Sequence, residues 1–493
     1  MNNLLTILTF IPLAGALLVT LLPACKTMLI RVVGIAASLA ALGMALGLAF
    51  LYDRAKGGLQ FAEQHAWIPA LNIEYYLAAD GLSLLLLILT GIITTFALFA
   101  LGERSTKLSV ALILALQTTL LGVFTALDFI HWFLYYELSL IPAFFLIRMG
   151  GSAKATAAAT QFFIYTLFAG FAMLLGFLAI HAATGTFDLT ELAGMGLGDK
   201  LAETFPGVAS IHTFVFFGIF LGLAVKVPVV PFHTWLPNAY AEAPTPVSML
   251  LTGLLSKMGA YGFLRLFFPL FPDLMMEWAV PLVCFALVTI IYPALVALGQ
   301  TDMKRIVAYS SINHLGYCLL GIFVVGAGAG IPSPTSDFAA AMTGVLLQIF
   351  NHAITAAALF CFIHFIEIRS GGLRGINDFG GLRARAPVLA GLMGIALFSA
   401  LGLPGLNGFV GEFLILKGVF ALTPIPAALA VIGIFITAVF MLNIIQRVFS
   451  GPLPVQWNAF SDLTLSERLI VTPVIALMFI LGIFPQLLIA LFN

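Results

Sequence analysis

FLGLAVKVPVVPFHTWLP, residues 220–237, sets a lysine, Lys226, in an apolar run and follows it with two prolines, Pro228 and Pro231. Proline removes a backbone donor and clashes with the preceding turn, so a helix through this stretch is expected to break. In a bilayer, unpaired backbone is tolerated only where it packs on protein or lines a wet cavity. A lysine beside such a break points to an ion pathway; the plainer alternative is a side chain that snorkels to the interface. His233 and Trp235 follow the break and are placed closer to the inner face.

The rest of the chain shares this character. Of its 493 residues, 62% are hydrophobic and 9% charged, against roughly 25% charged in soluble domains. Lipid must therefore be the solvent. The net charge is zero, which argues against a nucleic-acid partner. Cys25, Cys284, Cys318 and Cys361 are scattered, without CxxC, zinc or iron–sulfur spacing. Neither a phosphate loop nor a dinucleotide fingerprint is present. Redox cofactors and nucleotides are expected on other subunits.

Apolar runs recur at about 3–22, 29–50, 80–101, 108–127, 129–148, 156–181, 211–240, 244–268, 277–299, 303–324, 339–366, 387–421, 427–449 and 466–491. Each has at least the roughly 20 residues that cross a bilayer. The first lacks a preceding basic residue and a small-residue cleavage site, so it reads as a mature helix. The expectation is an all-α polytopic membrane protein of about 14 transmembrane helices.

The positive-inside rule tests that count. With the N-terminus outside, the inner loops and their flanks hold Lys26, Arg31, Arg104, Lys107, Arg148, Lys154, Lys304, Arg305, Arg369, Arg374, Arg383, Arg385, Arg447 and Arg468. The outer ones hold only Arg54, Lys56, Lys200 and Arg265; Lys226, Lys257 and Lys417 lie inside helices. Both termini are thus expected outside, with the long hydrophilic loops 51–79 and 182–210. The stretch 326–338 reads as an outer-face decoration.

A charge at the bilayer centre costs a few kcal/mol even on the lenient insertion scale. Six ionisable residues accept that cost: Glu137, Lys226, Lys257, His314, His352 and Glu412. Glu137 sits mid-run in WFLYYELSLIPAFF, whereas Asp128, at the start of the same helix, reads as an N-cap or interfacial charge. Lys257 lies among small residues that permit close helix approach. His314 and His352 are each weighed against a hydrogen-bonded core histidine. Glu412 follows Gly402, Pro404, Gly405 and Gly408, which predict a second broken helix. Lys417 is a secondary candidate that could snorkel outward.

The breaks fall in helices 7 and 12. The same offset of five relates helix 5, carrying Glu137, to helix 10, carrying His314. An odd offset reverses orientation, the pattern of inverted-topology repeats. The chain divides into helices 1–3 (residues 1–107), a five-helix repeat of helices 4–8 (108–268), its inverted counterpart of helices 9–13 (277–449), and a C-terminal segment with helix 14 (450–493).

At these residues the chain resembles the antiporter-like membrane subunits of respiratory complex I, and among them the M-type chain. The similarity runs nearly the whole length. It is carried by WFLYYELSLIPAFF (132–145), VKVPVVPFHTWLPNAYAEAPTPVSMLLTGLLSKMGAYGFLR (225–265), DMKRIVAYSSINHLGY (302–317), LLQIFNHAITAAALF (346–360) and GLPGLNGFVGEF (402–413). Glu137, Lys226, Lys257, His352 and Glu412 match the family's proton-channel positions, and His314 matches a histidine of many M-type members. L- and N-type relatives generally carry lysine at the position of Glu412. The resemblance implies a proton-translocating subunit of an NADH:quinone oxidoreductase in the bacterial inner membrane, or a thylakoid-type energy-coupling membrane. Its implied partners are lipids, protons, the L- and N-type antiporter-like chains and small membrane chains. FMN, iron–sulfur clusters and quinone would lie on other subunits.

In the implied mechanism, each repeat supplies a half-channel. Burial lowers a lysine's pKa and a nearby carboxylate raises it, so moving Glu137 relative to Lys226 would switch Lys226 between holding and releasing a proton. Lys257 and His352 would relay the proton laterally, and Glu412 would pass it to the opposite side. The same channel pattern fits a sodium/proton antiporter subunit of the Mrp type or a pump module of a membrane-bound hydrogenase. A solute carrier would need a side-chain-lined pocket at the repeat interface, and a scaffold would not need six buried charges. The absence of any cofactor motif predicts no redox activity in the isolated chain. Stoichiometric flavin, haem or iron–sulfur absorption in the detergent-purified chain would refute this.

Overall fold

The computed structural model describes residues 3–208, 210–328 and 336–492. Helices dominate. They are α1 (Leu4–Leu21), α2 (Thr27–Leu51), α3 (Gly81–Leu101), α4 (Lys107–Val123), α5 (Phe129–Arg148) and α6 (Ala153–Thr184), then a seventh element in two pieces, α7a (Ile211–Lys226) and α7b (Trp235–Glu242). There follow α8 (Thr245–Leu270), α9 (Ala279–Leu298), α10 (Met303–Ala327) and α11 (Ser336–Ser370), a second divided element, α12a (Pro387–Ala400) and α12b (Asn407–Leu422), then α13 (Pro424–Phe449) and α14 (Leu465–Ile483). Eleven helices among the described residues are long and apolar enough to cross a membrane.

Every apolar run of the sequence contains one of these elements. The last ends early, because Phe484 and Pro485 close it and only Gln486–Ile489 coils again. The expected decoration at 326–338 falls mainly on 329–335, outside the described residues. The hydrophilic stretch 51–79 is more ordered than a loop: Gln60–Ile68 (β1) pairs antiparallel with Ile73–Ala79 (β2). Its Glu63 carboxylate accepts the Leu5 amide at 2.7 Å and the Thr6 amide at 3.1 Å. The hairpin thereby satisfies donors that the first turn of α1 leaves free.

α11 is the axis of the molecule. Its most apolar 18-residue window is wholly buried, and it packs on α8, α10, α12b, α3 and α14. Its approach to α12b is backbone to backbone. A Cβ on Gly344 would lie 2.5 Å from the Ile415 nitrogen, and one on Gly411 would lie 2.8 Å from the Gln348 Cα. Small residues here replace the hydrophobic driving force that lipid removes, and they bring Glu412 onto the face of α11 that carries Gln348 and His352.

Both interrupted elements resolve their freed backbone within the protein. After α7a, Trp235 Nε1 donates to the Val225 carbonyl at 2.9 Å and Thr289 Oγ1 accepts the Val230 amide at 3.0 Å. After α12a, Gly402 and Gly405 take φ values of +83° and +95° that only glycine adopts freely. There Asn351 and Asn407 lock the loop reciprocally, each amide donating to the other's carbonyl at 2.8 and 3.1 Å. Trp235→Phe keeps an aromatic ring but orphans the Val225 carbonyl and leaves part of the indole's buried space unfilled, and should destabilise the fold by at least about 1–3 kcal/mol. The check is the thermal unfolding midpoint of the purified variant in detergent; an unchanged midpoint would show that the indole donor is dispensable.

Candidate functional site

The helix breaks, the glycine contact and one wide helical turn place the six charged candidates in two groups. The larger contains Lys257, His352, His314 and Glu412, with exposures of 0, 6, 5 and 5%. In α8, residues Leu251–Leu255 form a π-helical turn, which shifts the Ser256 amide to the Leu251 carbonyl. Such a turn frees a carbonyl inside the helix. The Thr252 carbonyl accepts the Lys257 ammonium at 2.6 Å, and the same ammonium lies 2.8 Å from His352 Nδ1 on α11.

From His352 the row continues to α10 and α12b. The imidazoles of His314 and His352 have centroids 5.3 Å apart. His314 Nδ1 lies 2.5 Å from Glu412 Oε1, and Gln348 Nε2 donates to that oxygen at 2.9 Å. A cavity of about 20 Å³ between α10, α11 and α12 is lined by His314, Gln348, His352 and Glu412, room for about one water. His314 Nε2 and Gln348 Oε1, both buried without a protein partner among the described residues, suit such a bridging molecule. Lysine, two imidazoles and a carboxylate form a row that is hydrogen-bonded at each end and joined in the middle by the neighbouring rings of His352 and His314, an arrangement across which a proton can be handed.

The smaller group is Glu137 and Lys226. Lys226 is 1% exposed; its ammonium sits 4.4 Å from the Tyr136 ring centroid and 3.4 Å from Ser139 Oγ. Both neighbours flank Glu137 on α5, and Tyr136 in turn donates to the Gly222 carbonyl of α7a at 2.9 Å. Glu137 itself is half-buried and makes no hydrogen bond to Lys226. No hydrogen bond among the described residues joins this pair to the larger group.

Residues at the margins take simpler roles. Asp128 caps α5, accepting the His131 amide at 3.1 Å and the Glu74 amide at 3.0 Å, and burial pushes its carboxyl up. Burial alone would raise the Asp80 carboxyl too, but the Arg265 guanidinium 2.6 Å away outweighs it and holds the group below its usual range. Lys417 is exposed on α12b beside Phe413 and Phe420 and stands outside the buried row. Trp235 is a backbone partner, and His233 is buried with Nδ1 unpaired among the described residues.

The sequence reading missed several polar members. Gln348 and Thr355 stand four residues before and three after His352 on one face of α11, a helical spacing that was available as a signal. Asn351, Ser399 and Asn407 become visible only once the second break is built. Lys304, counted with the inner loops, is 1% exposed and donates to the Ala243 carbonyl at 2.6 Å. It lines a cavity of about 690 Å³ together with Glu242, His364, Glu367 and Arg374. Thr245 donates to Glu367 there, and Arg374 pairs with Asp302 at 2.7 Å.

Comparison with known proteins places this geometry. The family described as NADH:quinone oxidoreductase/Mrp antiporter, TM, matches residues 126–437, which include all six candidates. NADH-quinone oxidoreductase subunit M of Mycobacterium tuberculosis is 33% identical over 100% of this chain and 93% of its own length. The subunit M of Rhodobacter capsulatus is 34% identical over 99% of this chain and 94% of its own. Among solved structures, a chain of respiratory complex I from Thermus thermophilus superposes with a TM-score of 0.83 at 27% identity, covering 99% of this chain and 97% of that one. A chain of the Mrp complex from Dietzia shares the fold, with a TM-score of 0.83 at 22% identity and coverage of 99% and 96%. The chain belongs to the NADH:quinone oxidoreductase/Mrp antiporter family of transmembrane subunits.

Proposed function

We propose that this chain is the M-type, proton-translocating membrane subunit of an NADH-quinone oxidoreductase. The observation that carries the reading is the buried row Lys257–His352–His314–Glu412, in which successive proton-exchanging groups lie side by side inside an apolar protein. Family membership and full-length similarity to subunit M chains support it. The driving force comes from quinone reduction on other subunits, where FMN and iron–sulfur clusters reside, and this chain carries no redox site. Its partners are the L- and N-type antiporter-like chains and small membrane chains of the same complex.

On this reading fourteen helices cross the inner membrane, counting each interrupted element once, with both termini on the outer side. Helices α4–α8 and α9–α13 are inverted repeats, each broken in its fourth member. The cavity lined by Glu242, Lys304, His364 and Glu367 lies at the basic, inner side and is the proton's point of uptake. From it, α10 carries Lys304, Ser311 and His314 inward, and α11 carries Glu367, His364, Thr355 and His352. Glu137 and Lys226 form the switch of the first repeat, and Glu412 is the terminal acid of the second.

Lys226→Ala and Glu137→Ala should each assemble normally yet pump several-fold less. Moving a charge against 100 mV costs about 2.3 kcal/mol, and the energy of quinone reduction reaches the proton only through an intact relay. Proton uptake by membrane vesicles given the complex's electron donor is the measurement, and near-parental pumping in both variants would sink the assignment.

Glu412 offers a sharper test. Glu412→Gln keeps the hydrogen bonds with His314 and Gln348 but cannot exchange a proton, so pumping should fall. Glu412→Lys should do less harm, since lysine exchanges protons and stands at this position in related subunits. A structural residue gives the opposite order, because lysine would leave an unpaired buried cation at a cost of roughly 3–5 kcal/mol. Parental pumping in Glu412→Gln together with failed assembly of Glu412→Lys on native gels would remove Glu412 from the pathway.

A further inference from the structure

Glu137 stands apart from the other charged residues of the site. Both of its carboxylate oxygens are enclosed, and neither has a hydrogen-bond partner among the described residues. The carboxylate instead approaches α6 at Gly170 with Oε1 foremost. A Cβ built on Gly170 would stand 2.0 Å from Oε1, 2.9 Å from Cδ and 3.4 Å from Oε2. The colliding atoms all belong to Glu137. The three nearest atoms are all side-chain atoms, so this glycine makes room first for a carboxylate.

The walls of this notch are fixed relative to Lys226. Gly222 of α7a packs on the same helix, where its own Cβ would lie 2.6 Å from Met173 Cβ and 3.2 Å from the Ala169 carbonyl oxygen. Lys226 follows Gly222 by one helical turn. Its ammonium is occupied by the Tyr136 ring and Ser139 Oγ, so the lysine is held while the carboxylate rests elsewhere.

We propose that Gly170 is the positioning residue of Glu137: the absent side chain at 170 is the seat in which the carboxylate rests apart from Lys226, and it sets the separation of the two charges. The proposal rests on the proton-pathway reading of Glu137 and Lys226. Charge–charge interaction varies steeply with distance where the dielectric is low, so the seat fixes one of the two states between which the pair switches. Any side chain larger than hydrogen at 170 drives the carboxylate out and resets that separation without touching either charged residue.

The test is a double-mutant cycle in the assembled complex, reading protons pumped per quinone reduced in vesicles. Gly170→Ala should lower that ratio by about tenfold, within the range that ångström misplacement of a reacting group costs. Glu137→Asp draws the carboxylate back by one bond, about 1.5 Å, out of reach of a methyl at 170. In that background Gly170→Ala should change pumping by less than about twofold, a non-additivity expected only of residues in contact. Parental pumping by Gly170→Ala overturns the proposal, as does an equal fold-loss in both backgrounds, which is the mark of helix packing alone. Should Gly170→Ala fail to assemble, the double variant is expected to assemble, and its failure overturns the proposal too. Lost pumping in Glu137→Ala beside a neutral Gly170→Ala would discard only the positioning role. Normal pumping in Glu137→Ala would discard the pathway itself.

Discussion

A helix that breaks inside a bilayer must find new partners for every backbone group it frees, because lipid supplies none. This constraint organises the molecule. At the first break the partners are an indole and a threonine hydroxyl; at the second they are a pair of asparagines and two glycines in left-handed conformations. The π-helical turn of α8 is a milder form of the same problem, and its freed carbonyl is met by a lysine ammonium. Each interruption therefore brings polar chemistry to a depth where it is otherwise costly. The charged residues cluster where the backbone has already required polar company.

The close contact of α11 with α12b supplies the second ingredient. Glycines at 344 and 411 let two main chains touch, which places a carboxylate from one helix beside an imidazole and an amide of its neighbours. Replacing either glycine by a larger residue would thrust the helices apart and lengthen those contacts before it disturbed any charge. Proximity in this row is thus set by residues that carry no chemistry themselves.

Much of this was legible in the sequence, for identifiable reasons. Helices follow from apolar runs of bilayer length, and both breaks follow from proline and glycine in runs that otherwise read as helix. The buried charges announced themselves by their cost, and Asp128 by its place at a helix start. What stayed hidden was mutual placement. Nothing in the sequence says that His314 and Glu412 meet while Glu137 and Lys226 stand apart, since that depends on side-chain direction across four helices. The burial of Lys304 was hidden for a related reason: a basic residue at a helix end reads as an exposed flank charge, yet here a carbonyl from the turn before α8 accepts its ammonium. The hairpin β1–β2 was read as a loop, because its paired faces are polar enough to pass for hydrophilic linker.

The cavity beside His352 bears on a matter distinct from transport. With room for about one water, this cavity is too small to hold a column of liquid between His314 and His352. A wide, permanently wet passage would let protons run back down the gradient whenever turnover stopped, discharging the membrane like a shorted capacitor. A link made of single side chains and one water conducts only when its members move together. For the proposed proton pathway, so narrow a link would insulate at rest, and that tightness would matter to the stored gradient as much as conduction does.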